Sequence, residues 1–358
     1  MKTKIKALQQ SLPAGIDAAV ITSEPNRNYL LGFASSNGTL VVAREEAFFF
    51  TDSRYITAAQ QAVKGAQVLL EKGRPLANLK AFLAEKPYKV LAIEAQHTSV
   101  EAYRILQSEL AACTLDASGA LDRLLLNTLR RKKSPQEVEK IRAAQAITDA
   151  CFEHILSFIK EGMTEKEIQL EMDYFMLSHG ADALSFETIV ASGENSAKPH
   201  AVPGKRRVQK GDFITMDFGA VVDFYHSDMT RTVALGEPDA AMVEVYNTVL
   251  FAQNAAIAAA KSGAKCVEID ATARNIIKAA GYGDYFGHGL GHGVSVEIHE
   301  EPCFNTVSKE VFQEGDVVTV EPGIYLPGRF GVRIEDMIYH SASGILNLTE
   351  SEKKLLVL

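Results

Sequence analysis

Residues Gly211–Gly219 read GDFITMDFG and, 104 positions later, residues Gly315–Gly323 read GDVVTVEPG; this pair of lines decides the fold. Asp217 and Glu321 occupy the same place in each copy. A His-x-x-Pro precedes each copy, His200 to Pro203 and His299 to Pro302, and a second carboxylate follows each, Asp228 and Glu335. Self-similarity at a fixed period is the signature of a duplicated structural unit. It predicts one domain built from two related halves facing each other. Within each copy, residues of two classes alternate, Phe213, Thr215 and Asp217 against Ile214, Met216 and Phe218, so each run reads as a strand with its carboxylate on one face. A reversal centred at Val222–Asp223 would set Asp217 opposite Asp228, and one centred at Gly328 would set Glu321 opposite Glu335. Directly paired side chains on one hairpin face lie about 4.5–5.5 Å apart, where like charges repel. Four such carboxylates with a neutral imidazole are a donor set for two divalent cations.

The rest of the chain narrows the class. Its 358 residues suffice for two domains, and 47% hydrophobic with 23% charged residues is an ordinary globular composition. A net charge of -8 argues against a nucleic-acid surface. The one basic run, Arg130-Arg131-Lys132-Lys133, is expected to be a solvated linker. Four cysteines lack zinc-motif or disulfide-framework spacing, which fits a reducing compartment. No signal-peptide core precedes Pro13 and no apolar run approaches the roughly 20 residues of a membrane span, so a cytoplasmic protein that does not engage membranes is expected.

From Asp17 to about Leu125, short apolar runs alternate with helical stretches in an α/β pattern that holds no cluster of ligand-spaced histidines and carboxylates. Ser134-Pro135-Gln136-Glu137 then starts a helix with a capping box, and Thr164-Glu165-Lys166-Glu167 starts another. Two further helices, Asp239–Lys261 and Val267–Ala280, precede the second copy, so helix, helix, hairpin occurs twice. A domain boundary is placed between residues 126 and 127. Before the second hairpin lies GHGLGHGVSVEIHEEP, Gly287–Pro302, which holds His288, His292 and His299 of the nine histidines. Glycines flanking His288 and His292 permit close backbone approach. His97, His154, His179 and His340 read as ordinary core or surface histidines. His226, two residues before Asp228, is expected to tilt away from the site.

SDMTRT at Ser227–Thr232, GHGLGHG at Gly287–Gly293, HEEP at His299–Pro302, EPGIY at Glu321–Tyr325 and VRIED at Val332–Asp336 together resemble the prolidase and aminopeptidase P branch of the pita-bread metallopeptidases. YLLGF at Tyr29–Phe33 and TDSRY at Thr51–Tyr55 resemble the creatinase-type domain that accompanies it. The resemblance implies an α/β creatinase-like N-terminal domain, residues 1–126, and an α+β pita-bread catalytic domain of two pseudo-symmetric halves, residues 127–358. It places dinuclear metal ligands on Asp217, Asp228, His292, Glu321 and Glu335, with Asp228 and Glu335 shared by both ions. It places His200, His288 and His299 in the pocket, Arg333 behind the ligands, and a proton-carrying role on Glu321. The implied enzyme is an exopeptidase that hydrolyses the Xaa-Pro bond at the N-terminus of peptides or in dipeptides by attack of a metal-bridging hydroxide. Mn²⁺ is the first expectation for the metal, with Co²⁺, Zn²⁺ or Fe²⁺ as alternatives, and a homodimer is implied. Other readings are a methionine-aminopeptidase-like enzyme without strict proline specificity and a non-catalytic, creatinase-like relative, which would be expected to have lost ligands. The chain departs from the pattern at Ser295-Val296 and at Cys303, where some dipeptidases carry an arginine that would grip the substrate carboxylate. That absence tilts the expectation toward an Xaa-Pro aminopeptidase.

Overall fold

A computed structural model describes residues 3–73 and 76–358, in two compact units, one ending at Arg130 and the other spanning Arg131–Leu358.

In the first unit, strands β1 (Ala18–Ile21), β2 (Thr39–Ala43), β3 (Ala47–Thr51), β4 (Gln67–Leu70), β5 (Val90–Ile93) and β6 (Thr114–Asp116) form one mixed sheet of order β4-β3-β2-β1-β5-β6. Its central strands are buried along their whole length, as the continuous apolar runs require. Helices α1 (Lys4–Ser11), α2 (Glu24–Leu31), α3 (Ile56–Ala62), α4 (Ala77–Ala84), α5 (Val100–Glu109) and α6 (Ala120–Leu124) complete it. Asp52 and Arg54 form an exposed ion pair at the end of β3, 2.7 Å apart.

The second unit opens with α7 (Pro135–Phe158) and α8 (Glu165–Ser178), and both capping boxes form, at Ser134/Glu137 and Thr164/Glu167. After them come β7 (Ala183–Leu184), β8 (Ile189–Ser192), β9 (Asp212–Phe218), β10 (Ala220–Val222), β11 (Tyr225–His226) and β12 (Met229–Leu235). The second half repeats the order with α9 (Ala240–Ala259) and α10 (Cys266–Ala279). Strands β13 (Gly291–Gly293), β14 (Glu300–Phe304), β15 (Val317–Val320), β16 (Gly323–Leu326), β17 (Phe330–Arg333), β18 (Asp336–Ser341) and β19 (Gly344–Asn347) follow.

Each pair of helices covers its own core. Cys151, Ile155, Ile168 and Met172 of α7 and α8 pack with Ile214, Met216 and Phe218 of β9. Val245, Val249, Ile269 and Ala273 of α9 and α10 pack with Val318 and Val320 of β15. One face of each strand lies against its own helix pair; the opposite face bears Thr215 and Asp217 or Thr319, and on β9 it begins with Phe213, which packs into the core of the second half. Thr215 and Thr232 hydroxyls meet at 2.9 Å on that face.

Two expectations are corrected. The first hairpin turns one residue later than the sequence indicates, at Asp223 and Phe224, both with positive φ (49° and 73°), so Asp217 faces Thr230 and not Asp228. A two-residue turn with both central residues left-handed suits the twist of a hairpin, but Asn or Gly ordinarily signals it and phenylalanine does not. The basic run is not a solvated linker either. Arg130, Arg131 and Lys133 are buried, and Arg131 is locked by Asp316 at 2.8 Å and Glu310 at 2.6 Å, pairings distant in sequence that neutralise it inside the second unit. Lys132 alone stays exposed.

Candidate metal centre

The second hairpin turns about Gly328 as its sequence indicates. Pairing of Gly323 with Arg333 on one side and Val320 with Asp336 on the other keeps one register, so Glu321 and Glu335 face each other in the gap between these ladders. Asp228 stands just before β12, whose Thr230 faces Asp217 on β9. His292 is the middle residue of β13, and its flanking glycines are obligatory: a Cβ on Gly291 would lie 1.9 Å from the Thr319 carbonyl oxygen, and one on Gly293 2.5 Å from that of Glu301. No such approach occurs at Gly287 beside His288.

These elements bring Asp228, His292 and Glu335 together, with one ligand atom of each within 4.8 Å of the others. The His292 Nε2 lies 3.5 Å from Asp228 Oδ2 and 3.5 Å from Glu321 Oε1. Its Nδ1 is 3.1 Å from the Gly293 carbonyl oxygen, which can only accept, so Nδ1 carries the proton and Nε2 presents a lone pair to the carboxylates. Asp217 completes the floor. Its Oδ2 accepts from Arg333 Nη2 at 2.6 Å, while its Oδ1 is buried without a hydrogen-bond partner. An orphaned carboxylate oxygen, the His292 lone pair and three further carboxylates make a donor set that fits divalent cations.

The electrostatics agree. Burial, then the charges of Asp217 and Glu321, hold the Asp228 carboxyl well above its ordinary range; burial, then Asp228 and Glu321, do the same to Glu335. Burial raises Glu321 to about 8, with Arg333 opposing and Asp217 reinforcing. Burial and the neighbouring His299 depress His292 to about 4, keeping it neutral. Without cations Glu321 retains a proton near neutral pH, and Asp228 and Glu335 are shifted in the same direction; bound cations would oppose these shifts and favour the ionised forms.

Arg333 organises the surround. Its Nε donates to Thr230 Oγ1 at 3.0 Å, and that hydroxyl donates to Glu335 Oε2 at 2.7 Å. Its Nη1 donates to the Tyr325 hydroxyl at 2.9 Å, which in turn lies 2.9 Å from His288 Nε2. His288 Nδ1 faces the Gly289 carbonyl oxygen at 2.8 Å and must donate there, so Nε2 accepts from Tyr325. His288 is thereby fixed as an acceptor with burial, then Arg333, holding it near 4. Thr319 plays the corresponding part for Glu321: it accepts from the His292 amide at 3.0 Å and donates to Glu321 Oε1 at 3.3 Å. Tyr325, Thr230 and Thr319 carried no sequence assignment, although both threonines lie two residues from a proposed ligand, on the same strand face.

All five proposed ligands line one cavity of about 910 Å³, together with His200, His288, His299, Arg333 and Cys303. The His299 ring lies against His292, centroids 4.4 Å apart. His226 does not line it; its amide donates to the Ser295 carbonyl. His154 is paired with Glu171 at 2.7 Å, and His340 is buried against Phe312.

Comparison with known proteins places this geometry. Residues 139–342 match the model of metallopeptidase family M24, and residues 4–132 match the creatinase/prolidase N-terminal domain. An uncharacterized peptidase of Bacillus subtilis is 40% identical over 96% of each chain. The structure of an Xaa-Pro dipeptidase from Bacillus anthracis superposes with a TM-score of 0.92 at 38% identity, covering 99% of this chain and 98% of that one. An X-Pro aminopeptidase from Thermotoga maritima gives 0.90 at 35% identity, covering 98% and 99%.

Proposed function

Because the chain belongs to metallopeptidase family M24, with a creatinase/prolidase domain ahead of its pita-bread catalytic unit, we propose that it hydrolyses the Xaa-Pro bond at the N-terminus of peptides or in dipeptides. The observation that carries this reading is the cavity that gathers four carboxylates and the lone pair of a neutral imidazole. Asp217, Asp228, His292, Glu321 and Glu335 are the residues that would hold two divalent cations. Divalent ions held there would lower the pKa of a water and polarise the scissile carbonyl. The oxygen-rich donor set suits Mn²⁺ first, and Co²⁺, Zn²⁺ or Fe²⁺ as substitutes.

The chain's own groups do the rest. Glu321, steadied by Thr319, takes a proton and returns it to the departing nitrogen. His200 and His299, on the cavity wall, donate to the oxyanion or the leaving side. Arg333 fixes Asp217 and, through Thr230, Glu335. The nitrogen of an Xaa-Pro bond bears no hydrogen, so a site that demands no N–H at that atom admits it.

Arg333 is the one arginine among the described lining residues, and it is spent on Asp217, Thr230, Tyr325 and Pro199. With Cys303 where a carboxylate-gripping arginine would stand, the pocket favours substrates longer than two residues, so we place the activity with Xaa-Pro aminopeptidases. The dipeptidase reading is favoured by Lys166, a second cation lining the cavity, whose Nζ donates to Gln169 Oε1 at 2.7 Å. A cytoplasmic homodimer is part of the proposal. The test is kcat/KM for Ala-Pro, Ala-Pro-Ala and Met-Ala with Mn²⁺. We expect both proline peptides to be cleaved, the tripeptide at least as well as the dipeptide, and Met-Ala poorly. Preference for Met-Ala overturns the proline reading; a hundredfold preference for Ala-Pro, about 2.7 kcal/mol, overturns the aminopeptidase assignment.

A further inference from the structure

The segment from Phe286 to Leu290 carries His288 and leads into His292, yet it has no helix or strand of its own to fix it. It is held from outside the cavity. Arg274 of α10 donates from Nη1 to the Phe286 carbonyl at 3.0 Å and from Nη2 to the His288 carbonyl at 2.8 Å, and its guanidinium lies 4.3 Å from the Phe286 ring centroid. One turn earlier, Asp270 grips the same guanidinium with both oxygens, Nε to Oδ2 and Nη2 to Oδ1 at 2.8 Å each. Asp270 is 1% exposed. Its Oδ1 also shares the Leu290 amide, at 3.1 Å, with the Phe304 carbonyl at 2.7 Å. The Leu290 carbonyl then accepts the backbone amide of Glu321 at 2.8 Å.

We propose that Arg274, held by Asp270, is a positioning residue that seats His288, His292 and Glu321 before any ion arrives. Neither residue lines the cavity, so any effect must pass through the segment they hold. A helix needs no buried carboxylate for an i,i+4 pair, which forms as well at the surface. The planar fork reaches two carbonyls two residues apart, which a lysine cannot do with one ammonium. Burying Asp270 is costly unless it is fully paired, and its pairing falls on the segment that carries the site.

The inference rests on the metal-centre reading above, and the experiment separates the two. Full-length Arg274→Ala and Arg274→Lys are titrated with Mn²⁺, and exchange of the Glu321 amide is followed in the metal-free proteins. Loss of such outer partners of a metal site weakens metal binding by about 10–100-fold. We expect a weakening of that size for Arg274→Ala, at least about tenfold faster Glu321 exchange, and KM for Ala-Pro at saturating Mn²⁺ within about twofold of wild type. Arg274→Lys should fall between. Wild-type Mn²⁺ affinity and wild-type exchange in a folded Arg274→Ala overturn the inference; if that variant does not fold, the same result in Arg274→Lys does so. Should the wild type itself bind none of Mn²⁺, Co²⁺, Zn²⁺ and Fe²⁺, the metal reading fails, and the exchange readout still decides whether Arg274 seats Glu321.

Discussion

Thr230→Val tests whether the link between Arg333 and Glu335 matters to the metal centre. Thr230 is fully buried, and valine has nearly its shape, so the change removes one hydroxyl and opens no cavity. That hydroxyl accepts from Arg333 Nε at 3.0 Å and donates to Glu335 Oε2 at 2.7 Å. A hydrogen bond to a charged group contributes about 1.5–3 kcal/mol. The bond to Glu335 reaches full strength only when that carboxylate is ionised, which is the form a cation requires. At about 1.4 kcal/mol per factor of ten, the expected loss of Mn²⁺ affinity is about 10- to 100-fold. Leaving Arg333 Nε unpaired costs about 1–3 kcal/mol more in the metal-free fold, or a fall in Tm of about 2–12 °C for a unit of this size. Competitive Mn²⁺ titration and thermal melting measure the two effects. An affinity within twofold of wild type with an unchanged melting temperature would show that the Thr230 hydroxyl does not couple Arg333 to Glu335.

The metal-free protein should lose stability as pH rises from about 6.5 to 8. Glu321, raised to about 8, holds a proton in the fold that the unfolded chain releases near 4.5, so its contribution is complete below about 4.5 and lost as pH passes about 8; Asp228 and Glu335 act in the same sense. His288 and His292, depressed to about 4, act oppositely but only below about 6.5, which leaves the carboxylates alone above that pH. Melting with and without Mn²⁺ checks this: the decline belongs to the metal-free form, and its absence there contradicts the assigned shifts. His200→Ala and His299→Ala should each lower kcat by about 10²–10⁴-fold, the range for a positioned proton donor, with metal content intact. Loss of metal in both would make them ligands.

The duplicated line made most of the catalytic unit legible. It indicated the facing halves, the helix, helix, hairpin order of each and the second hairpin's register, because alternation in GDFITMDFG and GDVVTVEPG marks strands and sets the carboxylate of each on one face. The first register was not legible, since Phe224 at positive φ carries no local signal for a turn. Ligand candidates stood out by chemistry and glycine flanking. Thr230 and Tyr325 did not, because their value lies in partners such as Arg333, which the fold alone brings near. Arg131 misled for the same reason: charge in a connecting segment reads as solvated until Asp316 and Glu310, distant in sequence, are placed around it.

Whether the carboxylate cluster is a working dinuclear centre is decided by elemental analysis of the Mn²⁺-loaded wild type and of Asp228→Ala, taken with Ala-Pro turnover of the same samples. Such a centre gives two ions per chain and Ala-Pro cleavage in the wild type, with most of the metal and essentially all of the activity gone in Asp228→Ala. Two tightly held ions and normal turnover in Asp228→Ala would contradict it.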